Sequence, residues 1–348
     1  MEINREKPIL VTGGSGYIAS WIVKYLLEEG YNVRATVRNK SNPKKVAPLE
    51  KLAENTKGKL ELYEADLLKD GSFDEAVNGC ELVMHTASPF FLKVKDPQKD
   101  LIEPALNGTI NVLESVSKAG TVKRVVLTSS VAAIYSDSKD IETRPGNIFT
   151  EEQWNTASNL KHNAYSYSKT LAEQKAWELV KAQKQWDLVV INPSLVLGPS
   201  LTNIVQSGSV EIIKSFLDGT YASGVPETYF GVVDVRDVAK GHINAGFKPE
   251  AEGRHIFCSE ELSMLQIADI LKEKYSKYKL PKMKAPKFLL YIVGPIIGGV
   301  TWKWIGLNYG IPVKFDNSRA KEKLGINFRA ALESINAHAA QLEDSGLI

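Results

Sequence analysis

The sequence predicts an α/β fold: a doubly wound parallel sheet with a smaller C-terminal substrate domain. Three observations carry this. Short β-branched runs alternate with helix-period segments through the first half, a glycine-rich turn joins the first run to the first helix, and the alternation loosens after Pro199. Strands that alternate with helices imply βαβ units, whose parallel strands are buried on both faces and wind right-handedly.

ILVT (Ile9–Thr12) reads as the first buried strand. Ile18, Ile22, Tyr25 and Leu26 then recur at helical spacing until Gly30 ends the helix. NVRATV (Asn32–Val37) alternates as a second strand, and LELYEA, ELVMHTA, RVVLTSS and DLVVINPSLVLGP (from Asp187) follow as further strands. Helical segments lie near Asp74–Asn78 and Leu101–Ala119. GVVDVRDVAKGHINAGF (Gly231–Phe247) reads as one more strand and helix returning to the sheet. The nucleotide-binding domain is therefore residues 1–199 plus 231–258. Residues 200–230 plus 259–348 form the substrate domain, laid over the carboxyl ends of the strands.

The chain has 348 residues and a net charge of +2, which gives no electrostatic reason to expect a nucleic-acid partner. Cys80 and Cys258 lie far apart among apolar neighbours, with neither disulfide nor metal spacing. They read as buried free thiols in a reducing, cytoplasmic setting, and no metal is expected. The N-terminus has no apolar core of a signal peptide. The most apolar run, Phe288 to Val300, is too short to span a bilayer and contains Gly294 and Pro295. With Trp302 and Trp304 it reads as a hydrophobic lid or core of the substrate domain, with a membrane-surface element as the rival.

TGGSGYIA follows the first strand and opens the first helix, giving Gly13, Gly16 and Ala19 the spacing G-x-x-G-x-x-A. Glycines let backbone N–H groups approach a pyrophosphate at a helix N-terminus, and a small third residue lets helix and strand pack. This makes the sheet Rossmann-type, with Thr12, Gly13, Ser15, Gly16, Tyr17 and Ile18 as candidate phosphate contacts. No acidic residue falls between Tyr31 and Leu49, where a site for the unphosphorylated ribose places one, whereas Arg34, Arg38, Lys40, Lys44 and Lys45 do. A guanidinium pairs with a 2′-phosphate that a carboxylate would repel. The cofactor expected is NADP(H), with Arg38 leading.

Tyr-x-x-x-Lys occurs four times: Tyr135/Lys139, Tyr165/Lys169, Tyr275/Lys279 and Tyr278/Lys282. Context selects among them. The first crosses a loop-like SDS, the last has Pro281 before its lysine, and the Tyr275 pair lies late in the chain, beyond the sheet strands. Tyr165 and Lys169 open SKTLAEQKAWELVKAQK and share one helical face, whereas Tyr167 points away. A lysine cation beside a phenol favours the phenolate, so the tyrosine can exchange a proton with a carbonyl oxygen. A serine hydroxyl at the end of RVVLTSS, Ser129 or Ser130, would help to polarise that oxygen.

The stretches VTGGSGYIAS, NVRATVRNKSNPKKV, EADL, GSFDEAVNGC, HTASPF, LTSS, YSYSKTLAEQKAW and NPSLVLGP together resemble the extended short-chain dehydrogenase/reductase superfamily. They are most similar to its dihydroflavonol-4-reductase-like group, which includes cinnamoyl-CoA reductases and fungal NADPH-dependent methylglyoxal/carbonyl reductases. With weaker similarity beyond them, the likeness reaches about Leu280. It implies Ser130, Tyr165 and Lys169 as the catalytic set, with Lys169 also holding the nicotinamide ribose. It further implies Arg38 and Lys44 at the 2′-phosphate, Asp66 and Leu67 by the adenine, Thr86, Ala87 and Ser88 along the cofactor, Pro193 to Val196 at the nicotinamide, and Ser209. Tyr135 stands where plant dihydroflavonol reductases carry an asparagine that reads flavonoid hydroxyls, and NAYSYSK stands where cinnamoyl-CoA reductases carry NWYCYGK. The expectation is reduction of a small aldehyde or ketone by a monomer or homodimer. A dihydroflavonol, sterol or sugar-nucleotide dehydrogenase and a non-catalytic NADP sensor are the rivals.

Overall fold

The computed structural model describes residues 2–88, 94–202, 208–297 and 300–348, apart from the side chains of Ser209, Ile296 and Ile297. Its strands are β1 (Ile9–Thr12), β2 (Asn32–Val37), β3 (Lys59–Glu64), β4 (Leu82–His85), β5 (Arg124–Thr128), β6 (Asp187–Pro193), β7 (Leu195–Leu197), β8 (Tyr229–Asp234), β9 (Gly253–Phe257) and β10 (Glu260–Ser263). The helices are α1 (Tyr17–Glu28), α2 (Pro43–Ala53), α3 (Asp74–Val77), α4 (Glu103–Ala119), α5 (Ala164–Lys181), α6 (Gly208–Leu217), α7 (Val235–Phe247), α8 (Met264–Tyr275), α9 (Lys287–Ile297), α10 (Trp302–Asn308), α11 (Ser318–Leu324) and α12 (Ala331–Asp344).

Seven strands form one sheet in the order β3-β2-β1-β4-β5-β6-β9, every pair parallel. The direction of winding reverses between β1 and β4, which opens a crevice at their carboxyl ends. Parallel strands need both faces covered, and the sequence supplies two apolar layers. One packs Ile22, Leu26 and Leu27 of α1 and Val238 and Ile243 of α7 on the sheet. The other packs Val112, Leu113 and Val116 of α4 and Ala176 of α5. At the end of α4, Gly120 adopts φ +70, the left-handed conformation that closes a helix without steric cost.

Three sequence readings need correction. The run from Asp187 is not one strand: it leaves the main sheet after Pro193, and β7 joins a second sheet ordered β10-β8-β7. β8 also belongs to that second sheet, so the segment from Gly231 does not return its strand to the main one. Only α7 does so, while the returning strand is β9. Periodicity reports a buried strand but not its partner. The second sheet is covered by α6, α8 and α12 around Phe216, Leu271 and Ile335. The apolar run near Phe288 is not core: Phe288 is 68% exposed, Ile292 63% and Trp302 66%. Among the described residues no helix is long and apolar enough to cross a membrane.

Candidate active site

The crevice is built first by Thr12, at the end of β1. Its buried hydroxyl bonds His85 Nδ1 at 2.9 Å and accepts the Thr86 and Ala87 N–H groups at 3.1 and 3.0 Å, while the Thr86 hydroxyl donates to the Thr12 carbonyl. These bonds lock the ends of β1 and β4 together. Burial, with a smaller contribution from Lys169, pushes the His85 pKa down to about 3, so this neutral ring is structural.

The glycine loop crosses this platform. Gly13 has φ +66, and a Cβ there would stand 3.1 Å from that of Ala87. Its N–H goes to the Thr36 hydroxyl and that of Gly14 to the Thr36 carbonyl, so β2 fixes the loop's path. The helix behind it, α1, has no side-chain cap and no acid in its first turn. An uncapped helix end presents free N–H groups and partial positive charge, which fits a phosphate. Tyr17 and Trp21 instead face the crossover after β7, donating to the carbonyls of Gly198 and Pro199, and the Thr202 hydroxyl donates to that of Ser15. Tyr17 therefore offers a phosphate only its backbone. Arg38 stands exposed just past β2, and Lys44 stands exposed in the first turn of α2. Glu64, at the end of neighbouring β3, accepts the Lys40 N–H at 3.1 Å, an acid that the local sequence window did not contain. Asp66 caps its own turn by accepting the Leu68 N–H, and the Leu67 carbonyl accepts from Asn111.

The structure brings the three predicted catalytic side chains together. Ser130 follows β5 and is fixed by two bonds, its hydroxyl accepting the Ala132 N–H at 3.1 Å and donating to the Pro193 carbonyl at 3.4 Å. Asn163, in the left-handed conformation at φ 53, starts α5 so that Tyr165 and Lys169 stand one turn apart. Tyr165 is 42% exposed. The bulk of protein around it raises its phenol pKa through desolvation, and a hydrogen bond with Ser130 opposes the rise. Desolvation is the larger influence, so the phenol pKa lies above its ordinary value, where the sequence reading expected the lysine to lower it. The Lys169 ammonium lies 6.0 Å from the Tyr165 ring centre and donates to the Ser88 hydroxyl at 2.9 Å. Burial brings its pKa down to about 8, with Glu173 acting in the opposite direction.

Pro193 lies at the end of β6, its carbonyl bonded to Ser130, and Val196 lies within β7. Ser209 falls in α6 with its side chain outside the described residues. The competing Tyr-x-x-x-Lys pairs serve elsewhere: Tyr135 stacks on Phe149 at 4.5 Å, and Tyr275 donates to the Asn336 carbonyl. Both cysteines are buried free thiols, Cys80 pushed by burial up to about 11 and Cys258 up to about 12. The sequence reading passed over Glu173, although it continues the Tyr165–Lys169 face at the same interval of four.

A Rossmann-type sheet with an open phosphate helix and a serine–tyrosine–lysine cluster at its strand ends defines a dinucleotide-dependent enzyme class. The model of the NAD dependent epimerase/dehydratase family matches residues 9–257, and the chain belongs to that family. It is 45% identical over 277 residues to "Cinnamoyl-CoA reductase CAD2" of Medicago truncatula, covering 79% of this chain and 82% of the relative. It is 38% identical to anthocyanidin reductase of Arabidopsis thaliana, covering 79% and 82%. Among solved structures, yeast methylglyoxal/isovaleraldehyde reductase Gre2 complexed with NADPH superposes with a TM-score of 0.79 at 32% identity, covering 98% of this chain and 100% of that one.

Proposed function

We propose that this protein is an NADPH-dependent reductase that converts an aldehyde or ketone to an alcohol, with Tyr165 as the proton donor. The observation that carries this reading is the convergence of Ser130, Tyr165 and Lys169 beside the crevice, with the Lys169 ammonium 6.0 Å from the Tyr165 ring centre and Ser130 acting on its phenol. The relatives named reductases, and the NADPH complex of Gre2, support the same reading.

The chain's residues divide the work. The first turn of α1 holds the pyrophosphate, Arg38 and Lys44 the 2′-phosphate, and Ser88 and Lys169 the nicotinamide ribose. Asp66 and Leu67 lie by the adenine, and Thr86, Ala87, Pro193 and Val196 line the nicotinamide half. NADPH, when bound, supplies the hydride. Ser130 and Tyr165 both hydrogen-bond the carbonyl oxygen, and Tyr165 gives up its proton as negative charge develops there. The Lys169 cation stabilises the phenolate left behind. Half-buried Tyr135, packed on Phe149 and Phe315, offers an aromatic ring rather than an amide at the position where the resemblance puts a flavonoid-reading asparagine, which favours a small carbonyl compound over a polyhydroxylated flavonoid.

The test is a panel of aldehydes and ketones followed at the NADPH absorbance band, with Tyr165→Phe beside the unmutated protein. Turnover is expected to vanish in Y165F while NADPH binding persists. Undiminished turnover in Y165F would refute the assignment.

A further inference from the structure

Glu173 is a carboxylate with a fully buried side chain on the helix that carries Tyr165 and Lys169. Leaving a carboxylate in such a place is costly unless every oxygen is bonded and a cation lies against it. Here both conditions hold. Oε1 accepts Arg254 Nε at 2.6 Å and Trp177 Nε1 at 3.2 Å. Oε2 accepts the Ser129 hydroxyl at 2.5 Å, Asn192 Nδ2 at 2.8 Å and Arg254 Nη2 at 3.3 Å. Trp177 lies on α5 itself, and the other partners come from the carboxyl ends of β5 and β6 and the start of β9. Two of them reach onward. Asn192 Nδ2 also donates to the Ser130 carbonyl at 3.1 Å. Arg254 donates to the carbonyls of Glu151 and Gln153 at 2.9 and 2.5 Å and lies 4.1 Å from the Trp154 ring centre.

We propose that Glu173 is the positioning residue of this site, clamping the α5 face that bears Tyr165 and Lys169 onto the strand ends that bear Ser130. The inference rests on the reductase reading above and adds to it the group that sets the serine–tyrosine distance. Tyr165, Lys169 and Glu173 follow one another at intervals of four, so a shift of Glu173 moves the whole face. A displacement of ~1 Å in such a constellation costs on the order of 100-fold in rate. Glu173 also bears on charge. The titratable and charged groups around Lys169 are Glu173 and Tyr165 on its own helix, His85 from β4, and Arg254 from β9 beyond the carboxylate. Glu173 is the one anion among them, and it favours the ammonium form of Lys169.

Glu173→Gln tests this, because it keeps the shape and removes the charge. The expected result is a kcat roughly 100-fold lower with NADPH affinity within about threefold of the unmutated protein. In the protein without nucleotide, lysine side-chain NMR is expected to show Lys169 losing its proton at lower pH than before, a readout that lost packing alone would not give. Glu173→Gln with Arg254→Met removes both buried charges and keeps the proposal testable if the single variant does not fold. Its melting temperature is expected to recover and its kcat to stay low. An unchanged kcat and Lys169 titration in E173Q, or recovery of kcat together with melting temperature in the double variant, would overturn the proposal. Y165F run alongside separates the two ideas: a dead Y165F with a fully active E173Q sinks only the role of Glu173, and an active Y165F sinks the reductase reading itself.

Discussion

Ser129 and Asn192, at the carboxyl ends of β5 and β6, and Arg254, at the start of β9, all converge on one carboxylate of α5, whereas along α9 the large side chains of Phe288 and Ile292 stand in the open. The two regions follow opposite rules. In the first, each group is held by several others, so a single change spreads to its neighbours. In the second, each apolar side chain has few neighbours to disturb. Stability is therefore concentrated around the main sheet, and the outer segment has freedom to vary.

The largest effect belongs to the crowded region. Phe257 is fully buried where β9 meets α7, and a Cβ added at Gly241 would lie 2.2 Å from its ring. Phe257→Ala should lower unfolding free energy by ~3–5 kcal/mol, read by urea denaturation. A loss under ~1 kcal/mol would mean that the region relaxes freely and would break the contrast. Next comes the cofactor edge. Arg38→Glu should shift the ratio of kcat/KM values for NADPH and NADH at least about tenfold toward NADH. Equal kinetics with the two nucleotides in the unmutated protein would remove the role given to Arg38.

The pH dependence sharpens the site further. A lysine with a lowered pKa is cationic below that value and neutral above it, and Lys169 changes form near about 8. The kcat/KM for NADPH should therefore fall as pH rises through that range, by about tenfold per pH unit at most. A flat profile across pH 7–10 would show that the ammonium charge is not needed. The smallest effect is expected on α9, where Phe288→Ser and Ile292→Ser should each leave unfolding free energy within ~0.5 kcal/mol. A large loss in either variant would show that this face is covered in solution.

Legibility followed the same division. Strands β1 to β6 announce themselves as short apolar or alternating runs, and the Tyr165–Lys169 pair follows from helical spacing within one local stretch. β9 is less visible because Arg254 and His255 interrupt its apolar pattern, both buried through long-range packing. α2 hides behind lysines and two prolines, Pro43 at its start and Pro48 inside it. The Glu173 clamp spans 81 positions to Arg254, so no window on the chain contains it. The raised phenol pKa of Tyr165 likewise depends on the protein around it and not on its sequence neighbours.

The strand order also sets a timetable for synthesis. β6 is adjacent to β9 in the sheet, yet residues 194–252 separate them along the chain. At ~5–20 residues per second, the ribosome needs roughly 3–12 s to make that stretch. Throughout this interval the apolar β6 edge has no partner strand, and Glu173 waits for the only cation that bonds it among the described residues. The nascent chain is thus most open to wrong pairing during one definable window, which ends when Arg254 leaves the exit tunnel.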